Sequence, residues 1–352
     1  MEKNKLLRKK IAEVLENPTF SDAYLHEKIT EVLAENNYLS FQDMKEPSSL
    51  SQLVESSLSF LRSEKREFEF KSGISSLDDL TGGFGMGEFI LVGARPGMGK
   101  SKFLQYVMLE GARKFPVLYF ALDAGKEIFI NSLISSLTEI SYSEFKSKNI
   151  SSEQWKLIDR VKSELDNLPI YISDEATKSM QTFKAICTRY IDEKGVKAIM
   201  VDFLQLLGSN RYRHQRELEM GYISRELKNL ARDKNVCIIA TSQLSRSCES
   251  RGGDRRPMLS DLRESGSFEQ DADKVLFLYR PEYYGFTEDE MGDSTSNIME
   301  ILVAKNRNGY IGSAQVKHSL PYGGFMPFVP YESKIQFSPE RLNEIEKNEP
   351  PF

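Results

Sequence analysis

Residues 93–101 read GARPGMGKS and end in Gly99, Lys100 and Ser101, the three residues that close a phosphate-binding loop. In such a loop, backbone N–H groups and the start of the next helix surround the anion, while the lysine and the hydroxyl contact the phosphates and Mg²⁺. The usual pattern has a glycine five residues before Gly99, where this chain has Ala94. The alternative interpretation is a glycine-rich turn that opens an ordinary helix. Because a strand pattern precedes the stretch and a helical pattern follows it, we predict a phosphate loop. The candidate nucleotide-binding residues are Ala94, Arg95, Pro96, Gly97, Met98, Gly99, Lys100 and Ser101.

Two other apolar stretches end in polar residues that suit the same chemistry. The run VKAIMVDFLQLL reaches Asp202, and VCIIATSQL ends in Thr241, Ser242 and Gln243. A carboxylate at Asp202 would support Mg²⁺ bound to phosphates, whereas the alternative is an aspartate that only starts a turn. The amide of Gln243 would sense a γ-phosphate by hydrogen bonding, whereas the alternative is simple capping of the strand. Together with a phosphate loop, both stretches predict a nucleotide site.

Hydrolysis of a nucleotide also requires a carboxylate that orients or deprotonates the attacking water. The stretch PVLYFALDAGKE presents Asp123 at the end of an apolar run. We predict that Asp123 is this catalytic group, on a strand directly beside the strand that carries the phosphate loop. Glu127 follows one helical turn later, and we expect it to be a solvated acid in the first turn of a helix.

Short apolar runs alternate with helical patterns from about residue 88 onward, and they predict the fold that positions these groups. Several runs are continuously apolar, as in strands that are buried on both faces of a parallel sheet. We therefore predict an α/β fold with a mainly parallel sheet flanked by helices, and ligands at the carboxyl ends of the strands. The predicted strands lie at 88–94, 116–122, 168–174, 196–207, 236–244, 274–280 and 299–305.

Residues 1–65 differ from the rest of the chain and predict a small α-helical N-terminal region. NKLLRKKIAEVLE and AYLHEKITEVLAENN carry helical patterns, and the Ser-rich stretch that follows them predicts a linker helix. We expect the main domain to occupy residues 66–352, entered through the charged stretch at 63–73.

Composition argues against several classes of protein. A formal net charge of −5 over 352 residues does not suit a surface coated for nucleic acid, although basic clusters at 210–216 and 246–263 would serve for local phosphate contacts. Three cysteines without a C-x-x-C pair suggest neither a disulfide framework nor a zinc site. No signal peptide or membrane-spanning run is apparent, so we expect a cytoplasmic protein without a membrane partner.

The motifs together resemble the ATPase domain of the DnaB family of replicative hexameric helicases, a branch of the RecA-like P-loop fold. ARPGMGKS is similar to that family's A-R-P-x-M-G-K-[S/T], in which the first position is ordinarily alanine. The resemblance covers about residues 73–328 and accounts for Ala94. The other matching stretches follow in the family's order: GISSLDDLTGGFGMGEFILV, MVDFLQLL, ISRELKNLARDKNV, SQLSRS, RRPMLSDLRESGSFEQDADKVLFLYR and AKNRNG.

The resemblance implies an enzyme that uses ATP and Mg²⁺. Lys100 and Ser101 would bind the phosphates and the metal, and Asp202 would support the metal. Gln243 would couple the γ-phosphate to loops that bind DNA.

The stretch AKNRNG looks like the segment that a neighbouring subunit inserts against the γ-phosphate. Lys305 and Arg307 would then stabilise the transition state in trans, so hydrolysis would depend on the subunit interface. The alternative is a surface hairpin with Asn308 and Gly309 in its turn, and a hairpin would also be a suitable carrier for the two cations.

The stretch SDLRESG resembles the DNA-gripping loop in the central pore of the family's ring. The resemblance implies that Arg263 and the backbone around Glu264 and Gly266 contact the phosphates of a single strand, whatever its base sequence. A solvated loop is as reasonable as direct contact for Arg246, Arg251, Arg255 and Arg256. A second candidate loop contains Arg211, Arg213 and Arg216.

The sequence departs from the family pattern in two places. Where the family has Ser-Leu-Glu-Met, residues 121–124 read ALDA, so Asp123 replaces the expected glutamate. A carboxylate one methylene shorter reaches the water less well, and a misplacement of about 1 Å costs on the order of 10²-fold in rate. The N-terminal region is also shorter than the family's helical hairpin domain.

The resemblance implies an ATP-dependent DNA helicase that translocates on single-stranded DNA as a homo-hexamer during replication. A primase or a helicase loader would be a further partner. Two alternatives stay open at this point. One is a RecA-like recombinase or strand-binding ATPase, and the other is a helicase-like regulator whose turnover is weakened at Asp123.

Overall fold

A single nine-stranded sheet organises the part of the chain that the structure, a computed structural model, describes. The described residues are 10–15, 24–25, 28–29, 49–62, 70–174, 179–209, 212, 215–251, 253–262, 266–289, 292–319 and 324–327. The strands in chain order are β1 Phe89–Ala94, β2 Val117–Ala121, β3 Ile170–Ser173, β4 Ala198–Asp202, β5 Cys237–Gln243, β6 Lys274–Tyr279, β7 Ile298–Asn306, β8 Gly312–Ser319 and β9 Gly324–Pro327. Across the sheet their order is β3-β2-β4-β5-β1-β6-β7-β8-β9.

The pairing confirms the predicted α/β fold with a mainly parallel sheet. The six strands from β3 to β6 in this order pair in parallel. The last three strands, β7 to β9, form an antiparallel edge next to β6. All seven predicted runs contain strands, whereas β8 and β9 were not predicted. The run at 196–207 is a strand only as far as Asp202 and continues as a 3₁₀ turn at Leu204–Leu206.

Ten α-helices have defined bounds from residue 50 onward in the described ranges. They are α1 Leu50–Arg62, α2 Ser75–Thr81, α3 Lys100–Ala112, α4 Lys126–Thr138, α5 Tyr142–Ser147, α6 Ser152–Leu165, α7 Met180–Lys194, α8 Arg216–Lys234, α9 Ser247–Ser250 and α10 Gly266–Asp271. Several of them connect successive parallel strands, which requires crossovers over the faces of the sheet.

Alternate residues of β1 supply the two cores, because successive side chains of a strand point to opposite faces. Ile90 and Val92 pack in one core with residues of α3 and α4. Phe89 and Leu91 pack in the other core with residues of α7 and α8. All six residues of β1 are buried, and burying a large apolar side chain contributes about 1.5–3 kcal/mol relative to exposure. The strand that leads to the candidate phosphate loop at 93–101 is therefore held from both faces.

The N-terminal prediction is confirmed where the structure describes it. Residues 10–15 are helical, as are residues 24–25 and 28–29, and α1 is the predicted linker helix. The other residues of the first two predicted helices, and the linker at 63–69, lie outside the described residues. The division at residue 65 therefore stays a prediction. Within the described ranges, no helix combines the length and the apolar character needed to cross a membrane.

Candidate nucleotide-binding site

The stretch at 93–101 connects the buried strand β1 to helix α3, as predicted. Gly97 has φ 79° and Gly99 has φ 91°, a left-handed conformation that glycine adopts without the steric cost of a Cβ. Gly99 is the N-cap of α3, so the first N–H groups of the helix lie at the end of the loop. Ala94 is not among the residues with positive φ, which explains why glycine is not required there.

Lys100 lies inside the loop. Its Nζ donates hydrogen bonds of 3.2 Å to the carbonyl oxygens of Ala94 and Arg95. Burial lowers the pKa of Lys100, and the neighbouring charges of Asp202 and Asp123 act in the opposite direction. The ammonium is thus held by neutral carbonyl oxygens at a place where an anionic ligand would be a stronger partner.

Asp202 ends β4 and is buried between two hydroxyl groups. The Tyr119 hydroxyl donates to Oδ2 at 3.1 Å, and the Thr241 hydroxyl donates to Oδ1 at 2.7 Å. Burial, followed by the charge of Asp202, raises the pKa of Tyr119 well above its usual range, so the phenol stays a donor. Sequence reasoning missed Tyr119, and the only signal was a single hydroxyl in the otherwise apolar strand β2.

Asp123 lies beyond the end of β2, but its predicted position beside the loop strand is wrong. β1 lies between β5 and β6, and both β4 and β5 separate it from β2. Ala121 of β2 is instead opposite Asp202, and the Leu122 N–H donates to the Asp202 carbonyl oxygen at 2.9 Å. Sequence order does not reveal which strands become neighbours, because crossovers can insert later strands between earlier ones. Asp123 is exposed next to the Asp202 end of the sheet, and Glu127 is exposed in the first turn of α4, as predicted.

Gln243 lies directly beside the start of the phosphate loop, since its register partner in β1 is Ala94. Its side chain is exposed, and its backbone N–H donates to Oε1 of Gln205 at 3.3 Å. The side-chain amide of Gln205 also donates to the Ser242 hydroxyl at 2.9 Å, and the main-chain carbonyl oxygen of Gln205 accepts from Arg216. Gln205 therefore joins the tips of β4 and β5. Sequence reasoning missed it, although it is the polar residue in the run FLQLL.

The side chain of Arg95 is directed away from the loop. Its guanidinium donates to both carboxylate oxygens of Glu249, at 2.9 and 3.0 Å, and to the carbonyl oxygen of Leu244 at 2.8 Å. Only 8% of the side chain is exposed. Arg95 thus contributes its main chain to the loop, while its charge is already paired. Met98 is buried, whereas Pro96 and Gly97 are exposed at the outer side of the loop.

Two groups on the adjoining segment after β6 also contact the loop. Arg280 donates from Nη1 to the carbonyl oxygen of Gly97 at 3.3 Å, and its Nη2 donates to Glu282. A Cβ placed on Gly97 would lie 3.7 Å from the ring of Tyr283. Neither residue was selected from the sequence, because their approach depends on β6 lying beside β1.

The residues of the site fit Mg²⁺. Ser101 is exposed in the first turn of α3, and Asp202 supplies a carboxylate at the same edge of the sheet. Each oxygen of Asp202 accepts one of the two hydroxyl hydrogen bonds described above, and a carboxylate oxygen has a further lone pair available. Mg²⁺ is commonly held by one or two protein oxygens together with phosphates and water, so the donor set is suitable.

Lys305 and Arg307 lie near the amino ends of the parallel strands, at the edge opposite the phosphate loop, which follows the carboxyl end of β1. β7 runs antiparallel to β6, with Lys305 opposite Val275 near the start of β6. The start of β6 is also joined to the start of β1, because the Asp273 N–H donates to the Phe89 carbonyl oxygen at 2.8 Å. β1 has six residues, and at about 3.3 Å per residue its start lies roughly 15–20 Å from the loop that follows its end. The two cations therefore do not reach the phosphate loop of their own chain.

Both cations are held by the end of α10. Lys305 Nζ donates to the carbonyl oxygens of Glu269 and Ala272, at 2.6 and 2.7 Å. Arg307 donates to Asp273 at 3.2 Å and to the Gln270 carbonyl oxygen at 2.7 Å. The Arg307 side chain remains 46% exposed. The predicted hairpin is confirmed, since β7 and β8 pair antiparallel on either side of residues 307–311.

The predicted DNA-binding residues are described only in part. Arg263 and Glu264 lie outside the described residues, and Gly266 is the first residue of α10. Arg251 pairs with the buried Asp261, and Arg256 pairs with Glu300. In the second candidate loop, Arg216 pairs with Glu219 at 2.6 Å, while Arg211 and Arg213 lie outside the described residues. Three of the candidate arginines thus have structural partners in their own chain.

Comparison with known proteins identifies relatives among the replicative DNA helicases. Residues 70–326 match the family model for the DnaB-like helicase C terminal domain. The chain is 36% identical over 302 residues to replicative DNA helicase DnaC of Bacillus subtilis (strain 168), which covers 85% of this chain and 64% of the relative. It is 38% identical over 258 residues to replicative DNA helicase DnaB of Geobacillus stearothermophilus, covering 72% and 56%. The chain thus spans less than two thirds of the length of these relatives.

Solved structures show the same fold. One, described as an ATPase domain, has a TM-score of 0.73 at 33% identity and covers 81% of this chain and 100% of its own. Another, a DnaB-like replicative helicase described with its interactions with primase, has a TM-score of 0.72 at 30% identity, covering 93% and 76%. From the family match over most of its length and the identity to these helicases, the chain belongs to the family of DnaB-like helicase C-terminal domains.

Proposed function

We propose that this protein is an ATP-dependent DNA helicase that moves along single-stranded DNA as a ring of six identical subunits during replication. One observation carries the proposal. The phosphate loop with Lys100 and Asp202 lies at one edge of the sheet, and the cations Lys305 and Arg307 lie at the other. A nucleotide site that needs all four residues is complete only where two subunits meet.

Within one subunit, the loop N–H groups and Lys100 would bind the phosphates of ATP, as in other phosphate loops. Ser101 and Asp202 would hold Mg²⁺, which neutralises charge on the β- and γ-phosphates. Asp123 would orient the attacking water from the adjoining end of β2. Gln243, exposed beside Ala94, would form a hydrogen bond to the γ-phosphate. Loss of that phosphate would then alter the contact between Gln243 and Gln205, and with it the loop that follows Gln205.

A neighbouring subunit would complete the site. The Arg307 side chain is 46% exposed, and its hydrogen bonds to Asp273 and to the Gln270 carbonyl oxygen keep it oriented. Lys305 is held by three main-chain carbonyl oxygens, and this arrangement favours a fixed position over a flexible one. Pre-oriented cations cost little reorganisation when charge develops in the transition state.

Single-stranded DNA would be bound by the segment that carries Arg263, Glu264 and Gly266, and the ring would enclose it. A primase or a helicase loader is a further proposed partner, because one similar solved structure is described with its interactions with primase. A replication role would place the protein in the cytoplasm. The relatives named above and the second solved structure are replicative helicases, so the recombinase alternative is not favoured.

Replacement of Lys100 tests nucleotide chemistry at the loop. Lys100→Ala removes the ammonium that would contact the terminal phosphates, so ATP turnover should fall by about 10²-fold or more without loss of the fold. Steady-state ATPase assays and circular dichroism measure both effects, with the exposed Lys114→Ala as the control. A folded Lys100→Ala protein with wild-type turnover would contradict the assignment.

The length of the catalytic side chain is tested by Asp123→Glu. The longer carboxylate should reach the water better and raise DNA-stimulated ATPase by about 10-fold or more, since small misplacements are costly. Wild type and Asp123→Asn should be measured in parallel, and Asp123→Asn should be the slowest of the three. If wild type shows no DNA-stimulated turnover and Asp123→Glu restores it, the regulator alternative gains support. Equal rates for all three proteins would remove Asp123 from the catalytic residues.

Completion of the site in trans is tested with mixed subunits. Arg307→Ala should bind ATP normally but lose about 10³-fold in turnover, the usual effect of an arginine supplied to a transferring phosphate. Mixing Arg307→Ala with Lys100→Ala protein should restore activity, because some interfaces would combine an intact loop with an intact Arg307. Arg189→Ala, on the exposed face of α7, is the control. Normal hydrolysis by Arg307→Ala alone would mean that the site is complete within one chain.

Contact with the DNA backbone is tested through salt dependence. Each cation that neutralises a phosphate releases counterions, with a slope of about −0.7 per contact on single strands. Arg263→Ala should flatten the slope and weaken binding equally for different sequences, because phosphate contacts carry no base information. Fluorescence anisotropy with the ATP-bound protein measures this, with Arg232→Ala as the control. If Arg263→Ala binds like wild type at every salt concentration, the segment at 211–216 becomes the better candidate.

A further inference from the structure

Arg95 is a phosphate-loop residue whose side chain serves a different part of the protein. All three of its side-chain nitrogens donate hydrogen bonds, two to Glu249 and one to the Leu244 carbonyl oxygen. Glu249 lies on α9, in the segment 245–262 between β5 and the stretch that carries Arg263. The loop and this segment are 154 residues apart in sequence at the Arg95–Glu249 contact. The pair is thus a long-range connection between the candidate nucleotide site and the candidate DNA-binding region.

The geometry of the pair makes it specific. A guanidinium and a carboxylate joined by two parallel N–H···O bonds are fixed in orientation as well as in distance. The hydrogen bond to Arg95 lowers the pKa of Glu249, and the same bond raises the pKa of Arg95. Both groups are therefore charged at neutral pH. Because only 8% of the Arg95 side chain is exposed, the charge would be costly to leave there without a partner.

The described residues of the 245–262 segment form a connected unit. The Ser245 N–H donates to the Asp261 carbonyl oxygen at 3.0 Å. The Arg251 guanidinium and the Met258 N–H both donate to the carboxylate of Asp261, which is 1% exposed. A displacement of α9 would therefore be passed to Asp261, two residues before Arg263.

The main chain of Arg95 contacts the residue that would respond to nucleotide. Its carbonyl oxygen accepts from Lys100 Nζ at 3.2 Å, as does that of Ala94. A triphosphate would compete for the same ammonium, because a charged acceptor is a stronger partner than a carbonyl oxygen. The Ala94 carbonyl oxygen also accepts from the Leu244 N–H at 3.2 Å. Movement of Lys100 would therefore change the hydrogen bonds that the carbonyl oxygens of Ala94 and Arg95 accept.

We propose that Arg95 is a positioning residue that, through Glu249, couples nucleotide binding at the phosphate loop to the arrangement of the 245–262 segment and thereby to its affinity for single-stranded DNA. This inference rests on the proposed function. The side chain would contact neither the phosphates nor the DNA. Its role differs from that of Gln243, which would act from the tip of β5 toward the loop after Gln205.

The test uses Glu249→Gln in the whole chain, because this change keeps the size of the side chain and removes one partner's charge. Hydrogen exchange of peptides within 245–262 should change in wild type when a non-hydrolysable ATP analogue and Mg²⁺ are added. In Glu249→Gln the change should shrink about fivefold or more, which is the lower end of typical coupling between sites. Affinity for the analogue, measured by titration, should change less than about twofold. The ratio of single-stranded DNA affinities with and without the analogue should fall by the same factor as the exchange response.

Two further variants separate coupling from general destabilisation. Arg95→Lys keeps the charge but not the fork geometry, and it should reproduce the loss of coupling. Glu226→Gln removes the 2.6 Å ion pair between α8 and Lys184 of α7, which involves no residue of 93–101 or 245–262, and should behave like wild type. If exchange and DNA affinity respond to the analogue equally in wild type, Glu249→Gln and Arg95→Lys, the inference is overturned and the proposed function stands. A wild-type protein that does not bind the analogue would overturn both.

Discussion

The candidate nucleotide site depends on the parallel pairing of β4, β5 and β1. Parallel pairing brings the carboxyl ends of these strands to one edge, so that Asp202, Gln243 and the phosphate loop lie side by side although more than a hundred residues separate the loop from Asp202. The register is specific, because a slip by one residue would exchange the β1 side chains that face the two cores. With β1 buried on both faces, the loop begins from a fixed point.

Charge is organised differently at the two edges of the sheet. At the loop edge, Lys100 and Asp202 have only neutral partners at hydrogen-bonding distance among the described residues, namely carbonyl oxygens and hydroxyl groups. At the other edge, Asp273 accepts from Lys228, from Arg307 and from the Phe89 N–H. Within that part of the chain, Lys100 and Asp202 thus lack a charged partner at hydrogen-bonding distance, which suits ligand binding. At the second edge Arg307 is paired with Asp273, whereas Lys305 is held by main-chain carbonyl oxygens, so both cations are oriented.

Arg95 lies at the loop edge, but its charge is already paired. Its main chain forms part of the loop, and its covered side chain is satisfied by Glu249 and Leu244. Burial of an arginine beside a site for anions would ordinarily be read as ligand binding. Here the guanidinium is instead paired with the carboxylate of Glu249 and hydrogen-bonded to the Leu244 carbonyl oxygen, so its charge already has a partner within the chain.

The sequence by itself determined the class of the fold, the position of the candidate phosphate loop between a strand and a helix, and the strand-end positions of Asp202 and Gln243. These follow from local patterns: continuous apolar runs, glycines at a turn, and a polar residue where each run stops. Only the tertiary structure decided that β2 lies beside β4 and not beside β1, that Arg95 faces Glu249, and that Tyr119 and Gln205 belong to the site. It also placed Lys305 and Arg307 at the far edge, out of reach of their own loop. The reason is physical: strand order and side-chain partners are set by long-range packing and crossovers, and neither leaves a periodic signal in the chain.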